Sequence, residues 1–205
     1  MPFLGSSPAE VALTTGDLGD SIVNEAKLKI SNSPTNGYML TAQSGDTGGL
    51  TWAAAGGGKI VARYYDEDAV HATTTTSIPS DDTAPTSSEG TATGLSITTN
   101  TLTNSSNRLR VRVSGCLSNS ATQDMVLVLF DGSSAVRTVW ATARAADWPE
   151  PLVMEYEVAP GATTAKTYSV RFGSTSGTCA KNGTTATRRY GGTAALTMIV
   201  EEIAP

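Results

Sequence analysis

The run Arg108-Leu109-Arg110-Val111-Arg112-Val113 decides the fold, together with Met125-Val126-Leu127-Val128-Leu129-Phe130 and the dipeptide Asp131-Gly132 that follows. The first run alternates strictly. Leu109, Val111 and Val113 fall on one face and three arginines on the other, the period-2 signature of a half-buried strand. The second run has no polar face, which predicts a strand covered on both sides. Asp131-Gly132 supplies hairpin turn chemistry, and Ala135 to Ala141 forms the return strand. Leu152 to Val158 alternates again, with Glu155 and Glu157 on one face. Thr167 to Phe172 does the same, with Tyr168, Val170 and Phe172 pointing inward. Ala194 to Ile203, Leu95 to Ile97 and Lys59 to Tyr65 complete a set of about eight strands with no convincing helix between them. That number and spacing predict an all-β chain, an antiparallel sandwich or jelly roll.

The first 58 residues read differently. Leu18, Ile22, Ala26 and Ile30 recur at i to i+4 steps, one stripe of a short helix that Asp17 or Asp20 would cap. The turn Ser33-Pro34-Thr35-Asn36-Gly37 follows. Tyr38 to Gln43 and Leu50 to Trp52 then form a small hairpin around Ser44 to Gly49. A lone stripe and a lone hairpin have little to bury against in water. The segment therefore asks for partners, with Leu18, Ile22, Ala26, Ile30, Leu40 and Trp52 as the packing residues. The expected division is residues 1–58 as an arm and neck and 59–205 as the β domain.

The 205 residues carry 14 Lys and Arg against 19 Asp and Glu, a net charge of −5. Such a balance argues against a nucleic-acid partner, which needs a basic surface, and against docking on anionic lipid. No apolar run approaches the roughly 20 residues of a membrane span, so no membrane insertion is expected. The opening residues lack the basic and apolar regions of a secretory leader. His71 is the sole histidine, which removes His-rich metal sites and most acid–base schemes. Cys116 and Cys179 show no metal-ligand spacing and read as thiols, with a disulfide as the alternative. No cofactor and no metal are expected.

Several motifs fail on inspection. Gly56-Gly57-Gly58-Lys59 lacks the preceding glycine and the following hydroxyl of a phosphate loop. Gly173 to Gly177 has Thr175 at the centre where a nucleophile elbow needs serine. Asp66-Glu67-Asp68 reads as a solvated turn after a strand, and Asp81-Asp82-Thr83 as backbone capping within a turn. Neither acidic cluster offers the apolar setting of a hydrolytic pair, so no enzyme is expected. Arg108, Arg110 and Arg112 form either a solvated face, a set of intersubunit partners for Glu155 and Glu157, or an anion site. Trp140, Trp148 and Tyr190 form either core or trimer-interface packing or an aromatic sugar platform.

Two segments resemble a known family. Thr76-Ser77-Ile78-Pro79-Ser80-Asp81-Asp82-Thr83-Ala84-Pro85 through Glu89-Gly90 is similar to a stretch that opens the head domain of fibre and head-decoration proteins of tailed bacteriophages, with Ala84 where Ile is frequent. Ala26 to Leu40, with Pro34-Thr35-Asn36-Gly37, and then Gly48-Gly49-Leu50-Thr51-Trp52 resemble the neck of the same fibres. The resemblance covers about 45 of the 205 residues. It implies a homotrimer in the virion, assembled in the bacterial host cytoplasm. It also implies an N-terminal arm held by another virion protein of tail or capsid, and a head similar to the tumour necrosis factor jelly roll. The implied function is structural, a short fibre whose exposed head adsorbs to the host surface. A capsid decoration protein that stabilises the shell is the first alternative, and a module binding host-surface glycan is the second.

Overall fold

The computed structural model describes residues 28–46, 48–54 and 58–205. The chain divides into two compact units, Met1–Gly56 and Gly57–Pro205.

In the first unit, strands β1 (Tyr38–Ala42) and β2 (Leu50–Ala54) pair antiparallel, with Leu40 opposite Trp52. The two residues predicted to pack thus face each other as a cross-strand pair. Chain reversal uses the bonds Asp46 N–H to Gln43 O (3.1 Å) and Gly49 N–H to Asp46 O (2.9 Å). Gly48 has φ +87°, and a Cβ there would stand 2.2 Å from the Lys29 carbonyl oxygen. Both facts restrict this position to glycine. Ile30 departs from the helical expectation. It forms a parallel bridge with Leu50, and Ser31 N–H donates to Leu50 O at 3.0 Å. The Asn32 side chain explains why the chain is extended here. It accepts from Trp52 N–H at 2.7 Å and donates to Trp52 O at 2.8 Å, taking the place of a ladder residue. Leu18, Ile22 and Ala26 lie outside the described residues.

The second unit is all-β, in antiparallel sheets. Its strands are β3 (Ile60–Asp68), β4 (Ala72–Thr74), β5 (Thr91–Thr98), β6 (Arg108–Asn119), β7 (Asp124–Asp131), β8 (Ser134–Thr142), β9 (Glu150–Val158), β10 (Thr167–Ser174), β11 (Cys179–Lys181) and β12 (Leu196–Ile203). One sheet runs β5-β10-β7-β8. The other centres on β6. Strand β9 lies along one edge of β6, and the opposite edge is shared by β12 at Arg108–Ser114 and β11 at Leu117–Asn119. Strands β3 and β4 complete that sheet beyond β12 and β11.

The inward faces of both sheets share one core. Leu109, Val111 and Val113 of β6 and Tyr168, Val170 and Phe172 of β10 are buried within it, as the alternation predicts, and Leu196, Met198 and Val200 of β12 join them. Strand β7 is buried on both faces. Met125, Leu127 and Leu129 enter the main core, while Val126, Val128 and Phe130 form a second apolar cluster with Ile78. The cover is the segment 77–90, a strap across the outer face of β7. Its start is fixed by the Ile78 N–H to Ser174 O bond, 3.0 Å. Its end is fixed by Arg171, which donates to the carbonyls of Glu89 and Gly90, both at 2.8 Å. At Gly90, φ is +60° and a Cβ would stand 2.7 Å from Phe172 O. The strap therefore closes only through glycine.

Asp66-Glu67-Asp68 is the end of β3 and not the solvated turn expected. Asp66 accepts from Ser96 N–H at 2.8 Å. Asp68 is 5% exposed and pairs with Lys181, 3% exposed. The break between β3 and β4 strips two carbonyls of ladder partners, and buried carbonyls must find donors. Asn182 Nδ2 supplies both, to Asp68 O (2.7 Å) and Val70 O (3.0 Å), and Lys181 Nζ adds a second bond to Val70 O at 2.7 Å. Burial favours the neutral acid at Asp68. The Lys181 ammonium and the N–H groups of Gly94 and Val70 outweigh it and hold the carboxyl below the ordinary range. Glu202 behaves alike at the other end of the unit. Burial opposes its charge, but Asn107 Nδ2 (2.5 Å), Thr103 Oγ1 (2.8 Å) and Thr103 N–H (2.7 Å) stabilise it, and its carboxyl is lowered too.

Candidate functional site

The outer faces of the two sheets differ. The face of β3-β12-β6-β9 keeps the alternation read from the sequence, and its odd positions on β3 and β9 face outward. Arg108, Arg110 and Arg112 meet Glu155 and Glu157 within one chain. Register sets Arg110 opposite Glu157 and Arg112 opposite Glu155. The nitrogen–oxygen distances are 2.5 Å for Arg108–Glu157, 3.2 Å for Arg110–Glu157 and 3.5 Å for both Arg110–Glu155 and Arg112–Glu155. Arg63 on β3 reaches Glu201 on β12 at 3.7 Å. The hydrogen bond from Arg110 leads the causes that hold the Glu157 carboxyl below the usual range. The intersubunit pairing weighed from sequence is thus met first inside the chain. Such exposed pairs add little stability in water. Their charges are nevertheless largely neutralised and held in register. Apolar side chains interrupt this charged face at its two margins: Val61 and the 56% exposed Tyr65 on β3, and the 63% exposed Val153 on β9. Cys116 is a free, exposed thiol further along β6, and Cys179 is free and buried. Burial pushes the Cys179 thiol up to about 12.

On the other sheet the outer face of β7 is covered by the strap, and a groove remains at the strap's margin. Its volume is about 270 Å³, and its walls include Ile78, Asp81, Asp124, Val126, Thr138 and Trp140. Val126 on β7 lies opposite Trp140 on β8, so the indole stands beside the strap cluster. Asp81 forms the turn cap read from the sequence, accepting from Thr83 N–H (2.9 Å) and Oγ1 (2.6 Å). Those bonds hold its carboxyl below the usual range. Asp124 accepts from Thr142 Oγ1 at 2.6 Å.

The three aromatics weighed from sequence are separated from the core. Trp140, Trp148 and Tyr190 are all exposed, so within one chain the core reading fails. Trp140 lines the groove. Trp148 and Tyr190 stand on two loops joined by Asp147, which accepts from Thr185 N–H at 2.8 Å. Sequence reading missed the groove because its walls come from four separate segments, the strap, β7, β8 and Thr175 after β10. The unbroken apolar run of β7 was the available signal, since a strand covered on both faces requires a covering segment. Among the described residues, no group of three His, Cys, Asp or Glu side chains is placed to hold a metal ion, and no helix is long and apolar enough to cross a membrane.

No family model matches the sequence, and no curated protein matches it. Among solved structures, a chain from Bacillus endospore appendages, described as a family of disulfide-linked pili, is similar at 12% identity and a TM-score of 0.27. The match covers 74% of this chain and 97% of that one. At that score it carries no argument here.

Proposed function

We propose that this chain is a non-enzymatic structural protein of a tailed bacteriophage virion, a short homotrimeric fibre whose exposed head meets the host surface. The observation that carries the reading is the asymmetry of the two outer faces. On one sheet the strap covers the apolar outer face of β7 with Ile78. The other sheet leaves Val61, Tyr65 and Val153 exposed among internally neutralised charges. An apolar and charge-balanced face is suited to burial against copies of itself. The hairpin of the first unit supports the same reading, because Tyr38, Met39 and Leu40 are all exposed and a two-stranded ribbon is marginal alone.

The head is read as a jelly roll. Its support is the strand order, β3-β12-β6-β9 in one sheet and β5-β10-β7-β8 in the other. The chain passes between sheets at six of the nine connections from β3 to β12, and β7–β8 is the sole hairpin joining sequence neighbours within either of these two orders. The resemblance to phage fibres is strengthened by the roles its motifs take. Pro34 to Gly37 leads into β1, the Gly48-Gly49 pair turns into β2, and the Ile78 to Gly90 motif is the strap. Light scattering of the purified full chain tests the assembly, with a mass of about three times 21.1 kDa expected; a stable monomer at micromolar concentration overturns it. Labelling of intact particles tests the location. Signal on the tail supports the fibre, signal on the shell supports capsid decoration instead, and no signal on particles overturns both.

A further inference from the structure

We infer that the groove between the 77–90 strap and the outer face of β7–β8 is a binding site for a neutral saccharide. The inference rests on the host-surface reading above and names the chemistry of the contact. Trp140 is 65% exposed at the edge of a concavity. A sugar ring offers an apolar C–H face to such an indole and a rim of hydroxyls to acceptors around it. The acceptors are present and fixed. Asp81 and Asp124 each hold one carboxylate oxygen in an internal hydrogen bond to Thr83 and Thr142. Among the described residues, the second oxygen of each has no protein partner. The Thr138 hydroxyl adds a donor-acceptor group on the same wall.

Charge selects within the class. Two carboxylates line the groove and no Lys or Arg does, so sialic acid, uronic acid or a phosphorylated polymer meets repulsion without a counter-ion. Size selects as well. Sites for drug-sized ligands run to roughly 300–1,000 Å³, so a groove of about 270 Å³ takes one or two sugar rings. The site is preformed, because β7, β8 and the strap are each locked by the second apolar cluster. Little ordering cost is left to binding.

The test uses the purified full chain and methyl α-D-glucopyranoside, methyl β-D-galactopyranoside and methyl N-acetyl-β-D-glucosaminide as probes, with N-acetylneuraminic acid as the anionic comparison. Saturation-transfer NMR and tryptophan fluorescence read the binding. At least one neutral probe is expected to bind saturably at millimolar concentration, with transfer strongest to its ring C–H protons. Trp140→Ala is expected to weaken that binding about tenfold or more, and Asp124→Asn to weaken it less. Trp148→Ala, outside the groove, is expected to leave it unchanged. No binding by any neutral probe, equal or tighter binding of N-acetylneuraminic acid, or undiminished binding by Trp140→Ala overturns the inference. Both tryptophans are exposed, and a thermal melt confirms that each variant folds. Solution mass and adsorption blocking are measured on the same samples. A trimer that blocks adsorption equally well with and without Trp140 keeps the fibre reading and removes the groove. A monomer that binds sugar keeps the groove and removes the trimeric fibre.

Discussion

Lys181 and Asp68 show how one buried pair can govern a sheet edge. A lone buried carboxylate is strongly disfavoured, so removing the ammonium costs more than the pair itself contributes. Lys181→Met is expected to lower the unfolding free energy by about 3–5 kcal/mol at neutral pH, read by urea titration. The pH dependence separates this from simple loss of packing. Asp68 and Glu202 both have folded-state pKa values below their unfolded values. Their stabilisation is fully present above the unfolded carboxylate range, near pH 4, and is lost as pH falls through the lower folded values. In Lys181→Met the main counter-charge at Asp68 is gone and burial raises that carboxyl. The acid limb of the stability profile is therefore expected to become shallower. An unchanged acid limb would assign the effect to packing alone.

At the scale of elements, the strap is the feature most open to a single change. Ile78 is 2% exposed and is the apolar cover over Val126, Val128 and Phe130. Ile78→Ala is expected to cost about 2–5 kcal/mol through lost burial and the cavity left behind. Thermal unfolding followed by circular dichroism reads it, and a shift no larger than that of an exposed substitution would show that the strap is not bearing on the core.

The same elements show what sequence carries and what it loses. Alternation placed β6 and β10 with the correct residues inward and put Glu155 and Glu157 of β9 on one face, because period 2 is a backbone property that needs no tertiary knowledge. The unbroken run of β7 signalled two-sided burial, although the residue that supplies the second side lies some fifty positions earlier. Ala72–Thr74 and Cys179–Lys181 went unseen, since three residues hold no period to detect. Asp68 was misread for a related reason. An acidic triplet resembles a turn until a lysine more than a hundred residues away is known to neutralise it. Ile30 continued a helical spacing, but the spacing has no knowledge of the Asn32 amide that captures Trp52 in an extended arrangement. The groove followed the same rule as these misses, being built from the strap, β7, its hairpin mate β8 and Thr175 just after β10.

For the whole molecule, the bare sheet face sets the prediction. Val153 points into solvent from β9, so Val153→Asp is expected to change the stability of the isolated chain by no more than about 0.5 kcal/mol. If copies close over this face, the same substitution places an unpaired charge beside Glu155 inside the interface. Its mass by light scattering is then expected to fall from about three chains to one. A trimer unaffected by Val153→Asp would move the contact to the hairpin unit.

Strand β12 carries a consequence for how the molecule is made. It lies between β3 and β6, and among the described residues β3 pairs with no other strand. The opening strand of this unit therefore has no ladder partner until residues 196–203 have been made and are free to pair with it. Such long-range closure is slow, and a nascent chain paused before that point presents an unpaired edge to chaperones and proteases.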